Sequence, residues 1–165
     1  MRIFFIHAAN LSDFNEMVFQ AYEDQGITLK RPYKNNFYIF RDRIGIQGHV
    51  DLCANPELVL EGFLQIGRLK TINGFDFESM KKIREAALKI DLKFFLSQTA
   101  GNQFIEILKS QSSLSTILKK MKQLGILKLL IPEFGVIEGQ MQFDMFHIYS
   151  VDEHTFKVVR NMRQM

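Results

Sequence analysis

Between Gly139 and Met162 the chain gathers the side chains best suited to chemistry: Asp144, His147, Asp152, Glu153 and His154, set among aromatic and aliphatic residues. Neutral imidazoles and carboxylates both bind divalent metals. His147 and His154 are seven positions apart. On one continuous helix they would share a face but lie ~10.5 Å apart along the axis. That is too far to ligate one ion directly, since helical zinc sites use a spacing of about four. If Ser150 or Asp152 caps a new helix, the geometry opens, and His154 falls in its first turn beside two carboxylates. A closed or catalytic metal site needs about three protein ligands or more. The local sequence does not supply them, so the residue types alone describe a capped helix start more often than a metal site.

Other reactive residues stand alone. His7 and His49 have no companions and read as ordinary polar or core residues. Cys53 is the single cysteine. It allows no internal disulfide and no thiolate zinc cluster, which points to a reducing, cytoplasmic compartment. No nearby histidine activates it, so it reads as a structural thiol. No glycine-rich phosphate loop follows a strand, and no nucleophile elbow is present. Lys119, Lys120 and Lys122, with Lys109 and Lys128 nearby, form the clearest basic cluster. It is shorter than the blocks of about five or more like charges that mark interaction tails, and reads as a solvated helix face. No nucleic-acid partner is expected from it.

The elements that must carry these groups are mostly helical. Phe4, Phe5, Ala8, Leu11, Phe14, Val18 and Tyr22 recur every three or four residues, predicting a helix over 3–24 with that face turned inward and Gly26 as its stop. Phe37–Phe40 and Ile44–Ile46 flank a short polar break and predict a small β-hairpin near residues 37–46. Asn55-Pro56-Glu57 reads as a helix start with Asn55 as the cap. Asp76 caps the next helix, which buries Phe77, Met80, Ile83, Ala87 and Ile90. Another helix begins near Asn102. Ser113 caps a further one, which Gly125 ends. The apolar run Leu127–Leu130 is closed by Pro132. The 165 residues are 47% hydrophobic and 24% charged, with a net charge of +3, enough apolar material for one ordinary core. The fold class is mainly α: a helical bundle with one small hairpin. No apolar run approaches the ~20 residues of a membrane span. The opening Met1–His7 lacks a signal-peptide pattern.

The segment from Gly139 to Thr155, G-Q-M-Q-F-D-M-F-H-I-Y-S-V-D-E-H-T, resembles the junction segment of the bacterial PII uridylyltransferase/uridylyl-removing enzymes. There G-Q-M-Q-x-D-x-F-H-x-Y-x-V-D-E-H-T opens an HD phosphohydrolase domain. Lys120–Leu127 and Leu130–Gly135 resemble that family's R-M-N-x-x-G-V-L and L-P-x-F-G stretches. Asn102–Lys109 resembles its helix ending in F-L-E-I-L. Phe37–Ile46 resembles its F-x-I-x-x-x-x-I-x-V stretch, and Asn15-Glu16-Met17 its L-N-E-M. The likeness runs over most of the chain and is most specific at the C-terminal motif.

The resemblance implies a bifunctional enzyme that transfers UMP from UTP to a tyrosine of the nitrogen-regulatory PII protein, hydrolyses the same linkage in an HD domain, and senses glutamine. Residues 1–136 would be the helical domain between the transferase and HD domains, and 137–165 the opening of the HD domain. His154 matches the first metal ligand of that domain, with His147, Asp152 and Glu153 as outer-sphere partners. A divalent ion, Mg or Mn, would belong to the complete enzyme. UTP and glutamine would bind outside these residues. The transferase's Gly-Ser pair and aspartates, and the His-Asp dyad of the HD domain, are not in the sequence. The 165 residues are therefore expected to hold no catalytic residue, no stably bound metal and no activity. Phe156, Val158 and Val159, left exposed on the C-terminal helix, would favour a homodimer. Residues 140–165 would be weakly anchored. The competing reading is a stand-alone helical interaction module that takes a protein partner in an apolar groove.

Overall fold

The computed structural model describes residues 2–23, 29–110, 114–140 and 150–162. It is mainly α with one small sheet. Helix α1 spans Arg2–Glu23 and is followed by strands β1 (Arg31–Tyr33), β2 (Phe37–Phe40) and β3 (Arg43–Ile46). Then come α2 (Glu57–Arg68), strand β4 (Gly74–Phe75), α3 (Phe77–Ala87), α4 (Leu92–Phe95) and α5 (Gln98–Leu108). Helices α6 (Leu114–Gln123), α7 (Leu127–Leu130), α8 (Pro132–Ile137) and α9 (Val151–Met162) complete the chain. Among the described residues no helix is long and apolar enough to cross a membrane.

The expected hairpin is β2–β3, antiparallel, with Phe37 opposite Ile46 and Phe40 opposite Arg43. The sheet is larger than the sequence suggested: β1 adds antiparallel to β2, and β4 adds parallel to β3. Both additions are too short to show a period of two. Asn73 and Gly74, which read as a turn, instead lead into β4. Asn73 donates to Asp42 twice, backbone to carbonyl at 2.8 Å and side chain to carboxylate at 2.7 Å, clamping the hairpin turn.

Helix α2 is the hub, packed on β3, α5 and α6. It presents Val59, Leu60 and Phe63, all fully buried. Phe63 meets Phe75 of β4 edge to face, centroids 5.1 Å apart. Gly62 permits this: a Cβ there would stand 2.7 Å from the Phe75 ring. Asn55 does not cap α2, which has no side-chain cap; its Nδ2 donates to the Asp51 carbonyl at 3.0 Å. Asp76 does cap α3, accepting from Ser79 N–H at 2.9 Å. The helix expected near Asn102 begins earlier, at Gln98, because Ser97 caps it. Pro132 opens α8 rather than merely closing a run, consistent with proline's preformed φ in a first turn. Gly125, at φ 76°, ends α6 as expected. Gly26 and Ser113 lie outside the described residues.

Helix α1 forms, but its orientation reverses the expectation. Met17 and Gln20 are its buried residues, whereas Phe4, Leu11, Phe14, Val18 and Tyr22 are exposed. Gln20 Nε2 donates to the Phe75 carbonyl at 2.9 Å, so a polar side chain docks the helix where an apolar stripe was expected to.

A buried polar knot ties sheet to helix. The Tyr38 hydroxyl donates to Asp76, and Ile46 N–H donates to Ser79 Oγ at 2.7 Å. Burial, then the Asp76 hydrogen bond and charge, push the Tyr38 phenol far above its ordinary range. The Tyr38 ring lies across Gly45, its cross-strand partner, where a Cβ would fall 2.1 Å from the ring. Gly45→Ala is therefore expected to expel the ring and break the Tyr38–Asp76 bond. Overpacking plus a lost buried hydrogen bond should cost ~2–4 kcal/mol. A lower urea midpoint at unchanged m-value is the measurement that checks it.

Candidate functional site

The described part of the region read from sequence as chemical is built on the turn that ends α8 and on the start of α9. Gly139 sits at φ 67°, a left-handed position, and a Cβ there would meet Ile6 of α1 at 2.8 Å. The turn aims the Gly139 N–H at Asp152 Oδ1, 3.3 Å away. Val151 N–H donates to the Gln140 carbonyl at 2.9 Å, so Gln140 and the start of α9 are held side by side. Helix α9 then winds with His154 N–H donating to the Ser150 carbonyl at 2.9 Å.

Asp152 is 1% exposed and pairs with Lys122 of α6. Burial alone raises its carboxyl, but hydrogen bonds from Lys122 and Ser150, the Lys122 charge and the Gly139 amide outweigh it and hold it below the usual carboxylate range. Glu153 pairs with Lys119 at 3.0 Å and lies 3.8 Å from Lys122. Lys120 pairs with Glu16 of α1. Burial raises the Glu16 carboxyl, yet the Lys120 hydrogen bond and charge, with Gln123, bring it below its ordinary value. The lysine cluster is thus only in part a solvated face: Lys109, Lys119 and Lys128 are exposed, whereas Lys120 and Lys122 are only 15% and 16% exposed and are matched to carboxylates. Between α1, α6 and α9 lies a cleft of about 250 Å³, lined by Phe5, Asp13, Lys122, Glu138 and Asp152 among others. Burial there pushes the Asp13 carboxyl up, against the opposing charges of Arg84 and Lys122.

His154 stands in the first turn of α9, exposed. Asp152 and Glu153 neighbour it in sequence but spend their carboxylates on Lys122 and Lys119. Among the described residues no three His, Cys, Asp or Glu side chains converge as a metal site. The described residues thus do not by themselves fit a divalent ion: His154 offers one imidazole, and its flanking acids are engaged. His147 and Asp144 lie outside the described residues. His7, His49 and Cys53 are exposed; His49 and Cys53 line one open pocket beside Lys82 and Glu85, and His7 lies on α1. The sequence reading missed Lys122 and Gly139 as partners of Asp152, because nothing local in sequence links positions that far apart.

The anchoring of α9 corrects another expectation. Phe156 is not exposed: it is 2% accessible and stacks on Phe134 of α8, centroids 5.4 Å apart. Val159 packs against the core, leaving Val158, 41% exposed, and Met162, 69% exposed, as the helix's outward large apolar residues. Residues 151–159 are thus held by a buried aromatic pair and a buried ion pair.

Comparison with known proteins places this geometry. The family described as uridylyltransferase GlnD third domain matches residues 37–129, from β2 through most of α7. The bifunctional uridylyltransferase/uridylyl-removing enzyme of Acinetobacter baylyi is 31% identical over 99% of this chain and 19% of its own length. That of Azotobacter vinelandii is 31% identical over 94% of the chain and 18% of its own length. The enzyme of that name from Nitrosococcus oceani is 31% identical over 99% of the chain and 19% of its own length. The chain therefore spans about a fifth of the length of the curated relatives it matches. No solved structure matches it.

Asp152→Asn should release α9. Lys122 would keep its charge in a mostly buried position without an anionic partner, at a cost of ~2–4 kcal/mol. The folded carboxyl titrates below its unfolded value of ~3.9, so its contribution is complete above about pH 4 and is lost as pH falls through the folded pKa. Urea midpoints followed downward from about pH 5 should therefore fall in the parent. They should fall less in Asp152→Asn, whose α9 amides should also exchange faster at neutral pH.

Proposed function

The chain belongs to the uridylyltransferase GlnD third-domain family, and we propose that it is the central segment of a bifunctional enzyme that adds UMP from UTP to a tyrosine of the PII protein and hydrolyses the same linkage. In this reading residues 1–136 are the helical domain that joins the two activities, and residues 137–165 open the hydrolytic HD domain. Glutamine and UTP act at parts of the enzyme outside these residues. PII is the macromolecular partner.

The observation that carries the reading is the placement of His154. It lies in the V-D-E-H-T stretch, on the first turn of a helix that a buried aspartate and a buried phenylalanine fasten to the family-matched body. We assign it as one imidazole ligand of a divalent centre, Mg or Mn, whose other ligands come from elsewhere in the longer enzyme. When bound, such an ion supplies Lewis acidity and an activated water for phosphodiester hydrolysis. The residues described here do something prior to that. Asp152 and Glu153 hold α9 through Lys122 and Lys119, which sets the position of the imidazole. Asp152 and Glu153 are thus positioning residues. Alone, the 165 residues lack the groups for either half-reaction.

His154→Ala in the full-length enzyme should lower uridylyl removal by more than the ~10–100-fold typical of losing an outer-sphere partner, while leaving UMP transfer intact. Equal retention of both activities would take His154 out of the metal centre. The 165-residue chain incubated with uridylylated PII should release no UMP, and turnover by it would overturn the reading.

A further inference from the structure

The turn that ends α8 is gripped from two sides, by Asp152 of α9 and by Arg2 of α1. In a helix that ran on, the Gly135 carbonyl would accept from the Gly139 N–H. Gly139 instead takes a left-handed φ of 67°, and its N–H turns to Asp152 Oδ1, 3.3 Å away. The Gly135 carbonyl receives its donor from α1. Arg2 Nη2 donates to it at 3.1 Å, and Arg2 Nε donates to the Glu138 carbonyl at 3.1 Å. A cationic fork on the carbonyls at a helix C-terminus also meets the negative end of the helix dipole.

The other backbone groups of the turn find partners close by. Glu138 N–H donates to the Phe134 carbonyl at 3.1 Å and Gln140 N–H to the Ile137 carbonyl at 3.0 Å. The Gln140 carbonyl accepts from Val151 N–H. Helix α1 thus holds the carbonyl side of the turn while α9 holds its amide side. The backbone at Gly139 lies directly against α1: a Cβ there would stand 2.8 Å from Ile6 and 3.4 Å from the Arg2 carbonyl.

A second link joins the same two helices through α6. Lys120 pairs with Glu16 of α1, while Lys122 and Lys119 pair with Asp152 and Glu153 of α9. Arg2 and Glu16 lie ~21 Å apart along α1. The helix is therefore pinned at two points to the two elements that also pin α9. A slide or rotation of α1 pulls on the Gly139 turn, and through it on Asp152.

We propose that Arg2 is a positioning residue for uridylyl removal: it fixes the Gly139 turn from α1, the turn fixes Asp152, and Asp152 fixes the first turn of α9, which carries the His154 imidazole. The proposal rests on the assignment of His154 to a divalent centre. An imidazole held less precisely binds the ion more weakly, yet supports the same chemistry once the ion is saturating. Loss of Arg2 thus acts on the metal requirement rather than on the saturated rate. A lysine has no planar fork to bridge two carbonyls, so it replaces Arg2 only in part.

Arg2→Ala, Arg2→Lys and His154→Ala are compared in the full-length enzyme with Mn as the metal. Arg2→Ala should raise the Mn concentration for half-maximal uridylyl removal by ~3–10-fold, at the low end of what outer-sphere partners of a metal ligand contribute. Its rate at saturating Mn should stay within about two-fold of the parent, and UMP transfer should be unchanged. Arg2→Lys should fall between the two. In the 165-residue chain Arg2→Ala should speed exchange of the Gly139 amide by ~10-fold while leaving the Ile83 amide of α3 unaffected, a local rather than global opening. A parent-like Mn requirement in Arg2→Ala, beside a His154→Ala that has lost removal, overturns the Arg2 assignment alone. Removal retained by His154→Ala overturns the metal-ligand assignment and this one with it. Equal loss of both activities in Arg2→Ala, or an unchanged Gly139 exchange rate, also overturns the positioning role.

Discussion

A carboxylate almost wholly withdrawn from water governs how the C-terminal part of this protein is built. An isolated buried charge costs several kcal/mol even after local relaxation, so Asp152 can be folded in only if every oxygen finds a partner. Lys122 from α6, the Ser150 hydroxyl and the Gly139 amide meet that demand together. Each partner constrains a different element. Lys122 fixes α9 against α6, Ser150 fixes the helix start, and Gly139 fixes the turn out of α8. The pair therefore selects one docking geometry out of many that the Phe134–Phe156 contact alone would tolerate, since apolar contact is non-directional.

That division of labour bears on the proposed metal ligand. A ligand held on a mobile helix must be ordered on each binding event. His154 instead sits in the same first turn as a residue whose bonds fix that turn. On the reading offered here, Asp152 and Glu153 serve hydrolysis without touching the ion. The lysines that hold them belong to α6, which also packs on the hub helix α2, so the imidazole is referenced to the helical body rather than to its own segment. A shift of α6 relative to α2 would carry His154 with it.

The sequence was legible where structure is local. The β2–β3 hairpin, the Asp76 cap and the Gly125 stop each depend on residues within a few positions of one another, and each was readable. The inward face of α3 followed from spacing. What was not readable depends on partners distant in the chain. Strands β1 and β4 exist because β2 and β3 offer free edges, not because three or two residues prefer extension. Asn55 looked like a cap by type, but the loop before it is organised by Asp51, which accepts from Cys53 N–H at 2.8 Å and draws Asn55 away. Lys120 and Lys122 looked solvated because the acids that bury them, Glu16 and Asp152, lie about 104 and 30 residues away. The family resemblance located the V-D-E-H-T motif, but only the tertiary structure separates its three titratable residues into two that bind lysine and one that is exposed.

Helix α1 marks the limit of periodicity as an argument. A stripe of apolar residues establishes that a helix has a face to cover; it does not say what covers it. The inference that the stripe points into the same domain assumes that the domain has room for it. Here the inner side of α1 is taken by Met17, by Gln20 bonded to Phe75, and by ion pairing through Glu16. These contacts are mostly polar and specific in direction, so they hold the helix in one rotation about its axis. Turning α1 by half a revolution would bury the stripe but strand Gln20, Arg2 and Glu16 without their partners. With Gln20 Nε2, Arg2 and Glu16 engaged on the inner side, the stripe is left for a surface outside this body.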